Sequence, residues 1–407
     1  MIEIVKKSDC CGCGACAQSC PKQCITMQSD EEGFLYPKIN KETCIDCALC
    51  NKVCPMINQN DTHKPLKVLA AKNRDEEIRY QSSSGGIFTK LAEIVIGGGG
   101  VVFGARFDEN WNVIHSWTDD LGELAAFRGS KYVQSKIGVV YIKVKDFLNH
   151  NRPVLFTGTP CQIAGLKNFL RKDYDNLLCV DIACHGVPSP LVWREYLQGE
   201  LLQFKNAKTN GIKVESSREI KKISFRSKSS GWKNYSFSIR FTDNKELTQI
   251  FRDNLFMQVF LKDLCIRPSC TICPAKKGKS GSDITIADYW GIDKLYPEFD
   301  DDKGVSLVLI NSSKGIRMVD SFDVDYIETT YNEAFENNKA LEKSIEENKY
   351  ALKFWELFHN KGFHKKGIEK IISITRPINV RIKFAIRNLM LLVLPKAVFY
   401  SIRNIFR

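Results

Sequence analysis

The sequence predicts an α/β protein: a small α+β cysteine-rich module, then an α/β body with a mixed sheet, then a helical C-terminal extension. Three observations predict this organisation. A cysteine pattern occurs twice in the first 60 residues, hydrophobic strands then alternate with helical segments, and apolar residues at helical spacing return near the C-terminus. The expected boundaries are 1–60, 67–150, 151–330 and 331–407.

The composition is that of a folded protein. Of its 407 residues, 43% are hydrophobic and 26% are charged, which excludes a disordered or collagen-like chain and allows two or three domains. The 59 lysines and arginines exceed the 47 acidic residues by 12. Because Met1–Asp9 has no apolar run of signal-peptide length, we expect a cytoplasmic protein with reduced thiols. The 16 cysteines therefore favour metal or redox-cofactor ligation over disulfides.

The repeated cysteine pattern is C-x2-C-x2-C-x3-C-P, and its two copies begin at Cys10 and Cys44. Bacterial two-cluster ferredoxins use this spacing to hold two 4Fe-4S clusters, with the fourth cysteine of each run bound to the other cluster. A structural zinc site is the alternative, but zinc does not need a third cysteine in step. The expected ligands are Cys10, Cys13, Cys16 and Cys54 for the first cluster and Cys44, Cys47, Cys50 and Cys20 for the second. Cys11 and Cys24 are expected to pack as small hydrophobes.

A larger body follows a polar linker at residues 58–66. Val68–Ala71 predicts a short strand, and the small residues Ser82–Gly86 then open an amphipathic helix that is followed by a strand at Val101–Phe107. Free backbone amides at such a helix start favour a phosphate. A serine-rich cap on an ordinary helix explains the same residues and, for this motif alone, is the favoured explanation.

Two cysteines follow predicted strands of this body. Pro153–Thr157 and Leu177–Ile182 have the apolar composition of buried strands, and Cys161 and Cys184 come shortly after them. Open α/β sheets bind ligands and cofactors beyond the carboxyl ends of their strands. We therefore expect both thiols at a ligand-binding edge of the sheet.

A third cysteine group completes a possible quartet. Cys270 and Cys273 form a C-x2-C pair, and with Cys161 and Cys184 they would suit a third 4Fe-4S cluster or, less well, zinc. Cys265 is an alternative to one of the distant ligands or a bystander.

In this order, the residues resemble the beta subunit family of coenzyme F420-reducing hydrogenases, over about residues 67–325. The matching elements are Gly85-Gly86-Ile87, Gly129-Ser130-Lys131-Tyr132 followed by Ser135, Thr159-Pro160-Cys161-Gln162, Cys184 and Cys270-x2-Cys273. The resemblance implies that a 4Fe-4S cluster, an FAD and the substrate lie together in the body. It implies cluster ligands at Cys161, Cys184, Cys270 and Cys273, and flavin contacts at Gly85, Gly86, Lys131 and Tyr132.

The resemblance also implies a function. The segments Ser282–Gly291 and Cys184-His185-Gly186 are most similar to bacterial members found with sugar-modifying or capsule-building enzymes. The hydrogenase subunit lacks the ferredoxin and the C-terminal extension, so use of coenzyme F420 stays open. The chain is therefore expected to be an oxidoreductase acting on a small molecule, for example a sugar intermediate of surface polysaccharide synthesis.

The predicted mechanism is a chain of electron carriers. Single electrons from a donor protein or reduced cofactor enter the ferredoxin clusters, pass to the third cluster and collect on the flavin, which delivers pairs as hydride. The alternative is an electron-transfer protein that serves a separate catalytic subunit. Candidate proton donors are His185, Asp283 and Asp288. A structural histidine and turn-capping aspartates explain the same residues.

The C-terminal part differs in charge. Residues at helical spacing in Tyr331–Asn360 predict an amphipathic helix packed on the body. Arg376–Arg407 has seven basic and no acidic residues, and its apolar stretch Leu389–Leu394 is too short to span a bilayer. We expect contact with an anionic membrane surface, at the inner face; docking on protein is the alternative. No nucleic-acid motif accompanies the charge, so no nucleic-acid partner is expected.

Overall fold

The computed structural model describes residues 1–206 and 219–375. Its strands are β1 (Ile25–Ser29), β2 (Leu35–Ile39), β3 (Lys67–Asn73), β4 (Val101–Phe107), β5 (Val113–Thr118), β6 (Val154–Gly158), β7 (Leu177–Ile182), β8 (Ile220–Ser227), β9 (Ser236–Phe241), β10 (Glu246–Ile250), β11 (Ile284–Asp288), β12 (Ser306–Ile310) and β13 (Val324–Thr329).

The α-helices of these residues are α1 (Ala15–Ser19), α2 (Leu49–Lys52), α3 (Glu76–Gln81), α4 (Ile87–Gly97), α5 (Leu124–Phe127), α6 (Val140–Asn149), α7 (Pro160–Leu170), α8 (Pro190–Asn206), α9 (Leu255–Leu261), α10 (Ile292–Leu295), α11 (Ser313–Val319), α12 (Tyr331–Asn337), α13 (Ala351–Lys361) and α14 (Lys365–Ile374). Short 3-10 helices lie at Lys7–Asp9, Leu121–Glu123, Pro268–Ile272 and Lys339–Leu341.

The N-terminal module has the two-fold repetition that its sequence predicts. Helix α1 carries Cys16 and follows Gly14, and helix α2 carries Cys50 and follows Ala48. Strands β1 and β2 form an antiparallel hairpin between the two repeats. Cysteines supply most of the small core of this module, so its interior is built around thiols.

The body contains an eight-stranded mixed sheet, which confirms the predicted fold class. Its strand order is β13-β3-β12-β11-β7-β6-β4-β5. Strands β11, β7, β6 and β4 are mutually parallel, and antiparallel strands extend both edges. Strands β3 to β5 come from residues 67–150 and the others from 151–330, so these two predicted regions share one sheet.

Both faces of the sheet are covered, as expected for a parallel centre. Phe103 and Phe156 point to the face covered by α6 and α7, whereas their neighbours Val102 and Leu155 point to the face covered by α4. This alternation follows the two-residue period of a strand. Because the central strands are apolar on both faces, polar chemistry is confined to the strand ends.

A second layer lies against the body. Strands β10, β9 and β8 form an antiparallel sheet whose apolar side chains pack with α8, α9, α13 and α14. The single helix predicted for Tyr331–Asn360 is divided: α12 ends at Asn337, and α13 begins at Ala351. The Asn338 side chain donates to the Ala334 carbonyl, 2.8 Å away, and so competes with continuation of the helix.

The predicted basic tail, Arg376–Arg407, lies outside the described residues. Among those that are described, no helix has both the length and the apolar character needed to cross a membrane.

Candidate functional site

The four cysteines predicted to bind the first cluster are buried together. Cys10, Cys13 and Cys16 lie on one loop, Cys10–Cys16, which we call the first loop, and Cys54 follows α2. Burial raises the pKa of Cys16 to about 12, and the charges of Cys10 and Cys54 add to this effect. Four thiols that would repel as free thiolates suit iron ligation, because the metal compensates their charge.

The cysteines predicted to bind the second cluster surround one pocket. Its volume is about 360 Å³, part of it open to solvent, and it is lined by Cys20, Cys44, Cys47 and Cys50. Three of these belong to the second loop, Cys44–Cys50. Cys24 lines the same pocket, with its sulfur 3.3 Å from that of Cys20. The donor set therefore fits a thiolate-bound cluster at the module surface, where Cys47 is exposed.

The four cysteines of the proposed third cluster come from three parts of the body. Cys161 lies in the first turn of α7, directly after β6, and Cys184 follows the parallel neighbour β7. Cys270 and Cys273 lie at the 3-10 helix after α9. Burial raises the pKa of Cys270, and the charges of Cys184, Cys161 and Cys273 raise it further. The structure thus groups all four thiols at the expected sheet edge.

Two cysteines of the body lie elsewhere. Cys265 is fully buried among apolar side chains near Phe256 and Leu264, and Cys179 lies inside β7. Burial raises the pKa of both thiols to about 12. Within residues 1–206 and 219–375, no three or more His, Cys, Asp or Glu side chains form a group suited to a single metal ion.

The first loop contacts the group of four body cysteines directly. The Cys11 side chain packs in one cluster with those of Cys13 and Cys161, and its proximity raises the pKa of Cys161. Gln134 Nε2 donates to the Cys11 carbonyl, 3.0 Å away. A Cβ added at Gly165, in α7, would lie 2.9 Å from the Cys13 sulfur, so this glycine allows the close approach. The motif spacing did not predict a role for Cys11. The only feature of the sequence that could have indicated one is the position of Cys11 between two predicted ligands.

The four residues predicted to contact a flavin lie on two touching segments. One segment precedes α4 and the other follows α5. The predicted contacts are Gly85 and Gly86 on the first segment and Lys131 and Tyr132 on the second. The backbone N–H of Ser130 donates to Ser83 Oγ, 2.6 Å away, which joins the segments. The structure therefore brings the four residues to one place.

Two lysines, the half-buried Lys131 and the buried Lys228, lie at these two segments. Lys131 Nζ donates to backbone carbonyls of residues 127–129. Lys228 Nζ donates to the carbonyls of Arg79, Ser84 and Lys303. Burial lowers the pKa of each ammonium to about 7. Since their acceptors are neutral carbonyls, a bound anion would stabilise the charged form of both lysines.

Asp288 lies at the carboxyl end of β11 and holds a buried arginine. Its two oxygens accept from Arg226 at 2.9 and 3.0 Å, and one also accepts from Trp232 Nε1 at 2.8 Å. Arg226 in turn donates to the Tyr132 hydroxyl, 3.3 Å away, and lies over the Tyr235 ring. Asp288 therefore orients Arg226 beside a predicted flavin contact; its catalytic role stays a prediction.

His185 lies close to the same place. Its Nε2 is 2.6 Å from Asp263 Oδ1, and its ring meets the edge of Phe260, which stacks on Tyr132 at 4.8 Å. Its side chain is 44% exposed. His185 is thus separated from Tyr132 by one aromatic ring and adjoins Cys184 in the chain.

Asp283 lies at the opposite end of β11 from Asp288. Its carboxylate accepts from the Cys179 backbone N–H at 2.8 Å and from Ser312 Oγ at 2.6 Å. These bonds tie β11 to β7 and to the start of α11. The structure does not bring Asp283 to the other two predicted proton donors, and its contacts are those of a structural residue.

A further pocket of about 430 Å³ opens beside Cys184. The buried Asp181 lines it, and its Oδ1 has no hydrogen-bond partner in the described part of the chain. Burial raises the pKa of this carboxyl group. Sequence reasoning missed Asp181 because it lies within the apolar strand β7 and has no motif around it.

Comparison with known families matches two parts of the chain. Residues 151–334 match the family described as the C terminus of the coenzyme F420 hydrogenase/dehydrogenase beta subunit, and residues 9–57 match the 4Fe-4S dicluster domain. The chain combines these two family domains. The resemblance drawn from the sequence is thereby confirmed over residues 151–334, and the paired cysteine motifs lie within the match to the dicluster domain.

Two curated relatives come from Methanocaldococcus jannaschii. The first is a coenzyme F420-dependent sulfite reductase, 25% identical over 230 residues that make up 52% of this chain and 35% of that protein. The second is a ferredoxin, 36% identical over 74 residues that make up 18% of this chain and 87% of that protein. The chain thus spans about a third of the length of the reductase.

One solved structure with a similar chain is the F420-reducing NiFe hydrogenase complex from Methanosarcina barkeri. The TM-score is 0.44 at 17% identity, with 72% of this chain and 90% of that chain covered.

Proposed function

We propose that this beta-subunit-type protein is an iron-sulfur flavoprotein oxidoreductase that carries electrons from its dicluster domain, through a third 4Fe-4S cluster and FAD, to an organic substrate. The grouping of Cys161, Cys184, Cys270 and Cys273 next to the first loop carries this proposal. A protein that exchanged electrons only at its surface would need no cluster ligands outside the N-terminal module. Four further thiols grouped in the body have a use if electrons continue from the module into the body.

The contacts of Cys11 support the order of transfer. They join the ligand loop of the first cluster to Cys161, so the first cluster is the one that adjoins the body. The second cluster lies where Cys47 is exposed, which suits uptake from an external electron-donor protein or reduced cofactor. We therefore assign the sequence second cluster, first cluster, third cluster.

The buried cations support a flavin. Lys131, Lys228 and Arg226 surround the segments that were predicted to contact FAD, and the 11-residue helix α4 begins there. A dinucleotide diphosphate would supply the negative charge that the two lysines lack, whereas Arg226 is already paired with Asp288. The helix N-terminus favours the same negative charge. When bound, FAD would convert single electrons into pairs. His185 could then hold a proton, since its imidazole lies one ring away from Tyr132.

A second candidate is an electron-transfer protein that serves a separate catalytic subunit. The observation that favours it is length: the chain covers 35% of the sulfite reductase, so the activity in that protein's name can depend on parts that this chain does not match. The sugar substrate, the cytoplasmic location and the membrane-surface contact stay predictions of the sequence.

Iron and flavin analysis of anaerobically reconstituted protein tests the proposal. Three clusters of four iron predict about 12 iron per chain, with one FAD. The variant Cys270→Ala should lose about four iron, as expected when one cubane is lost. The matched variant Cys265→Ala, which changes a buried thiol outside the group, should keep them all. About eight iron without flavin in the unmodified protein would reject the proposal and favour a simple electron carrier.

A further inference from the structure

Arg267 is a buried arginine at the junction of the dicluster domain and the body. Its side chain is 1% exposed, and it lies three residues before Cys270. It donates to the carbonyls of Cys10 and Leu35 at 2.8 and 2.9 Å and to Gln134 Oε1 at 2.9 Å. Its guanidinium also lies over the Tyr36 ring, 4.3 Å from the centroid. Arg267 thereby joins Gln134, which donates to the Cys11 carbonyl, in holding the first loop against the body.

The hydrogen bonds of Arg267 do not neutralise its charge. All three acceptors are neutral oxygens, and a guanidinium removed from water is costly unless negative charge lies near. On the body side, the backbone N–H of Cys270, a predicted ligand of the third cluster, donates to the Arg267 carbonyl, 2.9 Å away. Arg267 also lies beside the first loop, where a Cβ at Gly12 would be 2.8 Å from Nη1.

We propose that Arg267 is a positioning residue whose fixed positive charge lies between the first and third clusters and raises the reduction potential of both. A 4Fe-4S cluster becomes more negative when it gains an electron, so a nearby cation stabilises the reduced form. Burial reduces screening by water and salt, which makes the effect larger than that of a surface charge. The clusters, in turn, supply the counter-charge that Arg267 lacks among its hydrogen-bond partners.

The effect should be selective. In the proposed sequence of transfer, the first cluster comes between the second cluster and the body. None of the predicted ligands of the second cluster is among the hydrogen-bond partners of Arg267 given above. If both potentials are raised together, the driving force between the first and third clusters is unchanged, and neither cluster becomes an electron trap relative to the other. The half of the inference that concerns the third cluster rests on the proposed function; the half that concerns the first does not.

The test is a potentiometric titration of the iron-loaded, full-length protein, followed by EPR spectroscopy. Arg267→Gln removes the charge and should shift the midpoint potentials of the first and third clusters to more negative values, with the second unchanged. Arg267→Lys keeps the charge and should restore most of the shift. Arg240→Gln, which removes a surface charge paired with Glu246, is the matched control and should change none of the potentials.

A second variant keeps the inference testable if Arg267→Gln does not bind iron. Gln134→Glu leaves Arg267 in place and puts a carboxylate against its guanidinium, so the same two potentials should fall. Unchanged potentials in both variants, or an equal shift of all three clusters, would overturn the inference. So would Arg267→Lys behaving like Arg267→Gln, because hydrogen bonding alone would then explain the role. If only two clusters are present, the proposed function fails, while the first cluster should still shift.

Discussion

The two cysteine loops share one spacing but have different surroundings. In both loops, two residues take left-handed backbone angles at equivalent positions. Gly12 and Gly14 of the first loop have φ of +71° and +73°, and Asp46 and Ala48 of the second have φ of +47° and +56°. The arrangement of four thiols around a cluster therefore requires this backbone in each copy, although only the first copy meets it with glycine.

Burial explains the difference. The first loop lies between the module and the body, where Cys11 is 5% exposed, whereas its counterpart Ile45 in the second loop is 58% exposed. A side chain at position 12 would meet Arg267, while Asp46 has room to pair with the N-terminal ammonium at 2.7 Å. In the proposed function, the same motif therefore serves as an internal electron carrier in one copy and as a surface site for electron uptake in the other.

The largest expected effect comes from removing each cluster separately. Cys16→Ala should leave the second cluster reducible by an external donor but stop reduction of the third cluster, because the carrier next to Cys161 is lost. Cys47→Ala should slow uptake and still allow a small, diffusible reductant to reduce the first and third clusters. Freeze-quench EPR after mixing with dithionite or with a ferredoxin-type donor measures both outcomes.

Fast reduction of the third cluster in Cys16→Ala, with the first cluster absent by iron analysis, would contradict the proposed order. Electrons would then reach the body without the first cluster, and the contrast between the loops would have no functional meaning.

Much of the central fold was predictable because it depends on local pattern. The predicted strands Val101–Phe107 and Leu177–Ile182 have the observed bounds of β4 and β7, since strands apolar on both faces are recognisable as continuous runs. The three-stranded sheet β8–β10 was not predicted. Its strands mix polar and apolar residues, and their pairing depends on packing against α8 and α9, which lie elsewhere in the sequence.

The candidate site divides in the same way. Cysteine spacing predicted the two ligand groups of the dicluster domain, because a cubane fixes the separation of its ligands along the chain. Arg226 and Arg267 were missed. Arg226 pairs with a carboxylate 62 residues away, and Arg267 bonds to a carbonyl 257 residues away, so neither has a local signal. Cys11 was expected to be a small buried hydrophobe; it is buried, and its side chain also packs with that of Cys161.

A pH-dependent effect is expected on the body side of the interface. His115 Nδ1 is 2.8 Å from Ser135 Oγ, which accepts from Gln162 Nε2 at 2.9 Å in the first turn of α7. Burial lowers the pKa of His115 to about 4. As the pH falls below about 6.5, His115 binds a proton in the unfolded chain while it stays neutral in the folded chain. The free energy of unfolding therefore decreases as the pH falls. From about pH 6.5 to about pH 5 the loss should be ~2 kcal/mol.

Urea unfolding of the iron-loaded protein across this range measures the slope, and His115→Gln should flatten it. The exposed His150, at 77% side-chain exposure, provides the control variant His150→Gln, which should keep the slope. An unchanged slope in His115→Gln would show that the acid sensitivity arises elsewhere, for example in the dicluster domain. The body side of the interface would then no longer be distinguished from the dicluster side by its response to pH.

The smallest expected effect separates backbone strain from docking within the first loop. Gly12→Ala and Gly14→Ala both place alanine at a left-handed angle, which costs roughly 1 kcal/mol. At Gly14 the new Cβ would have one neighbour, Gln18 Nε2 at 3.6 Å, so no steric cost should be added to the backbone cost. At Gly12 it would lie 2.8 Å from Arg267 Nη1 and 3.0 Å from Gln134 Nε2, which adds about 1 kcal/mol or more.

The excess cost of Gly12→Ala over Gly14→Ala therefore measures how firmly the first loop is held by the body. Urea unfolding of the two iron-loaded variants, compared with Ala48→Gly in the second loop, gives this difference. Ala48→Gly should be close to neutral, because relief of strain offsets the added backbone entropy of glycine. Equal losses in Gly12→Ala and Gly14→Ala would mean that Arg267 and Gln134 move aside without cost. The first loop would then differ from the second in exposure alone, and not in the rigidity of its contact with the body.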